Sequence, residues 1–117
     1  AGNTGNGIFE AAQEKSFYAI GVDADQKLTN PEYDDVIICS MKKEVGNSIY
    51  DAIATLIDGG DARWGTTWVA DMSAGYVGIG YGEAGSTQQV PDDVKAEVEA
   101  LAQKIASGEI KVNTTRS

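Results

Sequence analysis

Asp23 and Asp25 stand one residue apart in Gly21-Val22-Asp23-Ala24-Asp25-Gln26, directly after an apolar run at 17–22. Open α/β sheets present ligand-binding groups at the carboxyl ends of their strands, so these carboxylates sit where a polar ligand would be captured. A carboxylate accepts from two neighbouring hydroxyls at once, and a charged acceptor bonds more strongly than a neutral one. That chemistry fits a sugar or a nucleoside better than an anion. An Asp-x-Asp turn also caps its own backbone, and on spacing alone that is the commoner outcome. Metal binding is not expected, because the calcium-loop pattern Asp-x-Asp-x-Asp-Gly is not completed.

Other stretches carry weaker chemistry. Gly2, Gly5 and Gly7 around Thr4 either cradle a phosphate at a helix N-terminus or form a tight strand-to-helix turn; their order is G-x-x-G-x-G and no Walker lysine follows. Gly80-Tyr81-Gly82-Glu83-Ala84-Gly85 matches G-x-G-x-x-G literally. Residues 86–90 separate it from the next helix, and the acidic partner about 20 positions on would fall inside that helix, so it reads as a flexible glycine loop. Lys42 and Lys43 follow a second strand, as surface cations or as ligand donors. Glu44 suits a helix start better than a lysine does, and that mild conflict favours a working role for a lysine there. Trp64, Trp68, Tyr76 and Tyr81 either stack on a ligand or fill a core. The chain has no histidine, which removes the commonest general base and any Ser/His/Asp or Cys/His constellation. No cofactor is expected.

The elements that must hold these residues alternate. Residues 6–15 predict a short helix capped by Thr4 or Asn6. Residues 17–22 and 36–41 predict strands, with a loop at 29–35 carrying Pro31 and Asp34-Asp35. Val45, Ile49, Ala52, Ile53, Leu56 and Ile57 recur at helical spacing; Gly59-Gly60 stops that helix, and its apolar stripe is expected to face a sheet. Residues 66–70 and 76–79 predict two further short strands. Pro91 suits a first helical turn, with Asp92-Asp93 favourable at the positive end of the dipole. Val94, Val98, Leu101, Ala102 and Ile105 form one narrow stripe on the last helix, which Gly108 ends. A terminal strand is expected at 110–112 and a polar tail at 113–117.

Nine Lys and Arg against eighteen Asp and Glu give a net charge of −9, and nucleic-acid affinity rests on clustered cations; nucleic acid is therefore not expected as a partner. A hydrophobic fraction of 42% is that of a globular chain with room for one small core. No apolar run approaches the ~20 residues of a membrane helix. Cys39 lies inside a predicted strand and reads as a small buried hydrophobe.

Several of these stretches, taken in order, resemble a known family. The opening 1–12, then Ala19-Ile20-Gly21-Val22-Asp23-Ala24-Asp25-Gln26, then Ser40-Met41-Lys42-Lys43 with Tyr50-Asp51-Ala52-Ile53, then Gly75 to Gly80 and the closing Gly108-Glu109-Ile110-Lys111-Val112 are similar to the C-terminal part of the basic membrane protein family. These are substrate-binding lipoproteins of bacterial ABC importers, of the purine nucleoside receptor type. The resemblance implies an α/β chain that is part of a type I periplasmic-binding-protein fold, an open and mostly parallel sheet flanked by helices, incomplete in this chain. It implies that residues 1–117 are a C-terminal fragment of a two-lobed protein, contributing to both lobes with crossovers near 23–43 and 64–80. It further implies a binding protein rather than an enzyme, closing on a nucleoside, with an ABC permease as partner and an extracytoplasmic, membrane-anchored location through an upstream lipidated cysteine. The missing N-terminal part, or a second copy, is expected to complete the sheet. Asp23 matches the residue that accepts from ribose hydroxyls and Lys43 the one that donates to the nucleoside. Thr4, Gly5 and Asp25 are weaker binding candidates, and Lys42 falls at a variable position. Gly46 departs from the family, which usually has an aspartate there. A glycine-loop nucleotide-binding enzyme and a free-standing interaction module remain the alternatives.

Overall fold

The computed structural model of the chain describes residues 2–60, 65–113 and 115. Trp64 and the early part of the second expected crossover lie outside the described residues. A 3-10 turn at Gly2–Asn6 runs into helix α1, Gly7–Lys15, and then into strand β1, Ala19–Asp23. A four-residue helix α2, Gln26–Thr29, and a 3-10 turn at Pro31–Tyr33 lead to strand β2, Ile37–Lys43, and helix α3, Val45–Ile57. A 3-10 turn at Met72–Ala74 precedes strand β3, Val77–Gly80, and helix α4, Asp92–Ala106, follows it.

The sheet has three strands in the order β1-β2-β3. β1 and β2 run parallel, with Asp23 opposite Lys42, while β3 is antiparallel to β2, with Lys43 opposite Val77. The result is an α/β arrangement with a mixed sheet flanked by helices. Its faces differ. Gly21, Ser40 and Gly80 are buried on one side, where the Gln26 amide donates to Ser40 Oγ at 2.9 Å. A Cβ on Gly21 would meet Ser40 Oγ and Gln26 Cβ, and one on Gly80 would meet the Asp25 carboxylate. These glycines let α2 approach the sheet closely. On the other side Ile20, Val22, Met41 and Ile79 are exposed.

The apolar core is small. Phe9 and Ala12 of α1 pack on Ala19, Val36 and Ile37, with Tyr33 against its edge; the Phe9 and Tyr33 rings lie 5.9 Å apart. α3 buries no residue, and Ile53 on its stripe is 52% exposed. The expectation that this stripe faces a sheet is not met, because none of the three strands runs beneath it. α3 is instead tethered just ahead of β3, where the Tyr76 hydroxyl donates to Asp51 Oδ2 at 2.6 Å and the Glu44 amide to Tyr76 O at 2.8 Å. The Cα radius of gyration is 16.9 Å, against roughly 13 Å for a self-contained domain of this length. The chain is spread over surfaces that it does not itself cover.

Other expectations are corrected by local geometry. Neither 66–70 nor 110–112 is a strand; a short apolar run becomes a strand only where it pairs with a neighbouring one, and the described sheet comprises β1, β2 and β3. Asn6 makes no side-chain cap: its φ of −63° and ψ of −27° are helical, whereas a capping residue needs extended angles. Pro91 sits one residue ahead of the first turn of α4. Cys39 is only half buried; partial desolvation raises its thiol above the ordinary value. The helix stops agree with expectation, with Gly59 and Gly108 at φ of 70° and 78°.

Expressed alone, the 117-residue chain should bind an apolar dye and self-associate, because contiguous uncovered apolar faces and open strand edges seek partners. Light scattering with dye titration checks this. A clean monomer that binds no dye and unfolds in one sharp transition contradicts it.

Candidate functional site

The parallel register ends β1 and β2 at the same level, so side chains twenty residues apart in sequence become neighbours. Lys43 Nζ lies 2.8 Å from Asp23 Oδ1, with both side chains about half exposed. Lys42 points elsewhere and pairs with Glu44 at 2.7 Å. The hydrogen bond from Lys43, and then its charge, hold the Asp23 carboxyl below the usual carboxylate range.

Asp23 is also a backbone outlier. Its φ is 73°, and the Ala24 amide donates back to Val22 O at 3.0 Å. An i→i+2 bond around a positive φ defines a rare, strained three-residue turn. Aspartate tolerates the left-handed region better than most residues because its short polar side chain bonds locally. Such strain persists where the surroundings over-determine it, and it clusters at ligand sites.

Asp25 does different work. One carboxylate oxygen accepts from the Lys27 amide at 3.3 Å, capping α2, and the other from the Gly82 amide at 2.9 Å. Gly82 has a φ of 83°. The segment after β3, read from sequence as a flexible glycine loop, is thus fastened to the turn that carries Asp23. Sequence reasoning placed Gly82 in that flexible loop and passed over the buried Lys27. A lysine in a polar stretch looks like any surface cation, and no spacing rule marks it.

An open cleft of about 620 Å³ is lined by Asp23, Asp25, Lys42, Lys43, Gly80, Tyr81 and Gly82 among others. A second groove of about 390 Å³ runs from Asp23 past Ile20 and Val22 to Gly5 and Asn6. Asp23 stands at the junction of the two. Thr4 is exposed beside this second groove's glycine. Trp68 packs edge-on against Tyr76 at 5.0 Å, and Lys95 lies 5.2 Å over the Tyr81 ring. Trp68 and Tyr76 thus pair with each other, while Tyr81 borders the cleft. No His, Cys, Asp and Glu grouping suited to a metal occurs among the described residues, and none of their helices is long and apolar enough to cross a membrane.

This arrangement offers adjacent hydrogen-bond donors and acceptors on one wall of an open cleft. An Asp25→Ala change should destabilise the fold by about 2 kcal/mol, since it removes a helix cap and orphans the Gly82 amide. Asp25→Asn, which keeps a capping oxygen, should lose less. Urea denaturation of the intact protein checks this, and equal effects of the two changes would contradict it.

Comparison with known proteins places the arrangement. The family model of PnrA-like ABC transporter substrate-binding proteins, Bmp, matches residues 1–116. The chain is 34% identical over 125 residues to the CD4+ T-cell-stimulating antigen of Listeria monocytogenes, covering 96% of this chain and 34% of that protein. The same protein of Listeria innocua matches equally. Among solved structures, an ABC transporter solute-binding protein from Aeropyrum pernix K1 is similar at 27% identity and a TM-score of 0.66, covering all of this chain (100%) and 40% of that one. A transcriptional activator of the comK gene from Bacillus halodurans aligns at a TM-score of 0.70 over 91% of this chain and 34% of that one; at 19% identity it shares the fold alone. The chain spans about a third, 34%, of the length of the curated relatives it matches. The described three-stranded α/β unit is part of a periplasmic-binding-protein-type fold, and the chain belongs to the Bmp family of PnrA-like ABC transporter substrate-binding proteins.

Proposed function

We propose that this chain supplies one wall of the ligand cleft in an extracytoplasmic receptor of an ABC importer, and that the ligand is a nucleoside, a purine nucleoside foremost. The Asp23–Lys43 pair carries this reading. A strained turn aims a carboxylate at an ammonium 2.8 Å away, at the sheet end where α/β folds receive ligands. Vicinal ribose hydroxyls can accept from Lys43 and donate to Asp23, replacing an exposed ion pair of small worth with charge-assisted bonds in a closed cleft. The intact receptor binds and does not turn its ligand over.

The family and the uncovered surfaces support the remaining parts of this reading. Residues 1–117 form a C-terminal part serving both lobes, with crossovers near 23–43 and 64–80. The other lobe encloses the ligand, since small-molecule pockets usually cover about 70 to 90% of it. The rest of the polypeptide covers the face of Ile20, Val22, Met41 and Ile79, all exposed here. Hinge closure is the signal read by the membrane permease, and an upstream lipidated cysteine anchors the protein.

Calorimetry on the intact protein with inosine, adenosine, ribose and ATP tests the proposal. Asp23→Ala should weaken inosine binding by about thirtyfold to a thousandfold, as for lost hydrogen bonds to a charged group. Lys43→Ala should act similarly, and Lys42→Ala should be nearly silent. Equal effects at both lysines, turnover of any compound, or a preference for ATP would overturn the reading. The pH dependence has a definite sign. Asp23 is held below its ordinary value by Lys43, so its contribution is complete above about pH 4 and is lost as the pH falls through the depressed value. Inosine affinity should be flat from about pH 5 to 8 and fall only in acid.

A further inference from the structure

Lys27 is 2% exposed, the most deeply buried charge among the described residues. Its ammonium donates to Asp34 O at 2.7 Å, Asp34 Oδ1 at 3.0 Å, Thr87 O at 2.8 Å and Gln89 Oε1 at 2.9 Å. Asp34 Oδ2 accepts from the Thr87 amide. The Gln89 side-chain amide donates to the carbonyls of Asp34 and Asp35, each at 2.8 Å. With the Asp25–Gly82 bond, these ties join residues 25–35 to residues 82–89.

The composition of the second segment explains why the joint is polar. Gly82-Glu83-Ala84-Gly85-Ser86-Thr87-Gln88-Gln89 holds no large apolar side chain, so apolar burial cannot dock it. An ammonium has three protons to give, and here it satisfies acceptors from both segments at once. A buried cation is tolerated only when so paired. Asp34 loses some hydration, yet bonds from Thr87 and the Lys27 charge hold its carboxyl below the usual range. The segment leads directly from β3 to α4, and its Gly82 lines the cleft of Asp23 and Lys43.

We propose that Lys27 is a positioning residue, whose buried ammonium locks residues 82–89 onto residues 25–35 and thereby fixes the Gly80–Tyr81–Gly82 wall of the cleft. This deepens the proposed function and rests on it for the ligand, though not for the lock itself. Segments held by few buried contacts open locally. Loss of the ammonium frees the wall while the apolar core of Phe9, Ala12 and Ile37 stays intact.

Hydrogen exchange at the amides of Gly82 and Thr87, with inosine calorimetry, tests this in the intact protein. Lys27→Met should speed exchange at both amides by about tenfold or more and weaken inosine binding by about tenfold. Ile37→Val, which thins the core at the far end of β2, should lower the melting temperature and leave both readouts unchanged. Gln89→Ala, which removes one acceptor and two donors, should show the pattern of Lys27→Met at smaller amplitude, and it carries the test if Lys27→Met does not fold. Wild-type exchange in both variants overturns the proposal, as does faster exchange with unchanged affinity. Wild-type protein that binds no inosine overturns the nucleoside reading instead, and the exchange comparison still decides whether Lys27 is the lock.

Discussion

Parallel pairing of β1 with β2 brings the carboxyl ends of two strands to one level, and the candidate site follows from that register. With Asp23 opposite Lys42, the next residue along, Lys43, comes within 2.8 Å of the Asp23 carboxylate. A shift of one residue would turn every side chain of a strand to the other face. Slid so that Lys42 took the place of Lys43 beside Asp23, β2 would bring Cys39 to the buried face in place of Ser40. The register is held by fit on the buried face, where Gly21, Ser40 and Gly80 admit α2 and a larger side chain would collide.

The polar side of the structure is as ordered as its apolar core is small. Among the described residues no buried side-chain polar atom lacks a partner, and much of that satisfaction runs through Asp25, Lys27, Asp34 and Gln89. Networks of this kind specify geometry more than they add stability, because each charge gives up hydration to take part. They suit a cleft wall. Apolar packing would hold the segment after β3 only if it contained apolar residues, and residues 82–89 contain none of size.

How much was legible in the sequence depended on whether the signal was local. α3 and α4 were readable from helical spacing and from Gly59 and Gly108, and β1 and β2 from short apolar runs between turn residues. Residues 66–70 and 110–112 misled because strand propensity describes how a segment fits beside neighbouring strands, and neither segment joins the described sheet of β1, β2 and β3. The stripe of α3 was read correctly as apolar and wrongly as covered by the sheet. Asp23 and Lys43 were paired only through the family resemblance; no spacing rule joins residues twenty apart across two strands. Lys27 left no trace, since its burial is produced by Asp34, Thr87 and Gln89 converging from distant positions.

The central claim is that the Asp23–Lys43 pair meets the ligand in the intact protein. The most direct measurement is nuclear magnetic resonance of the lysine side-chain nitrogens, assigned by Lys42→Arg and Lys43→Arg, during titration of the intact protein with inosine. The account predicts that the Lys43 ammonium resonance moves in proportion to site occupancy while that of Lys42, paired with Glu44, stays in place. Saturable inosine binding that leaves Lys43 unmoved would contradict it.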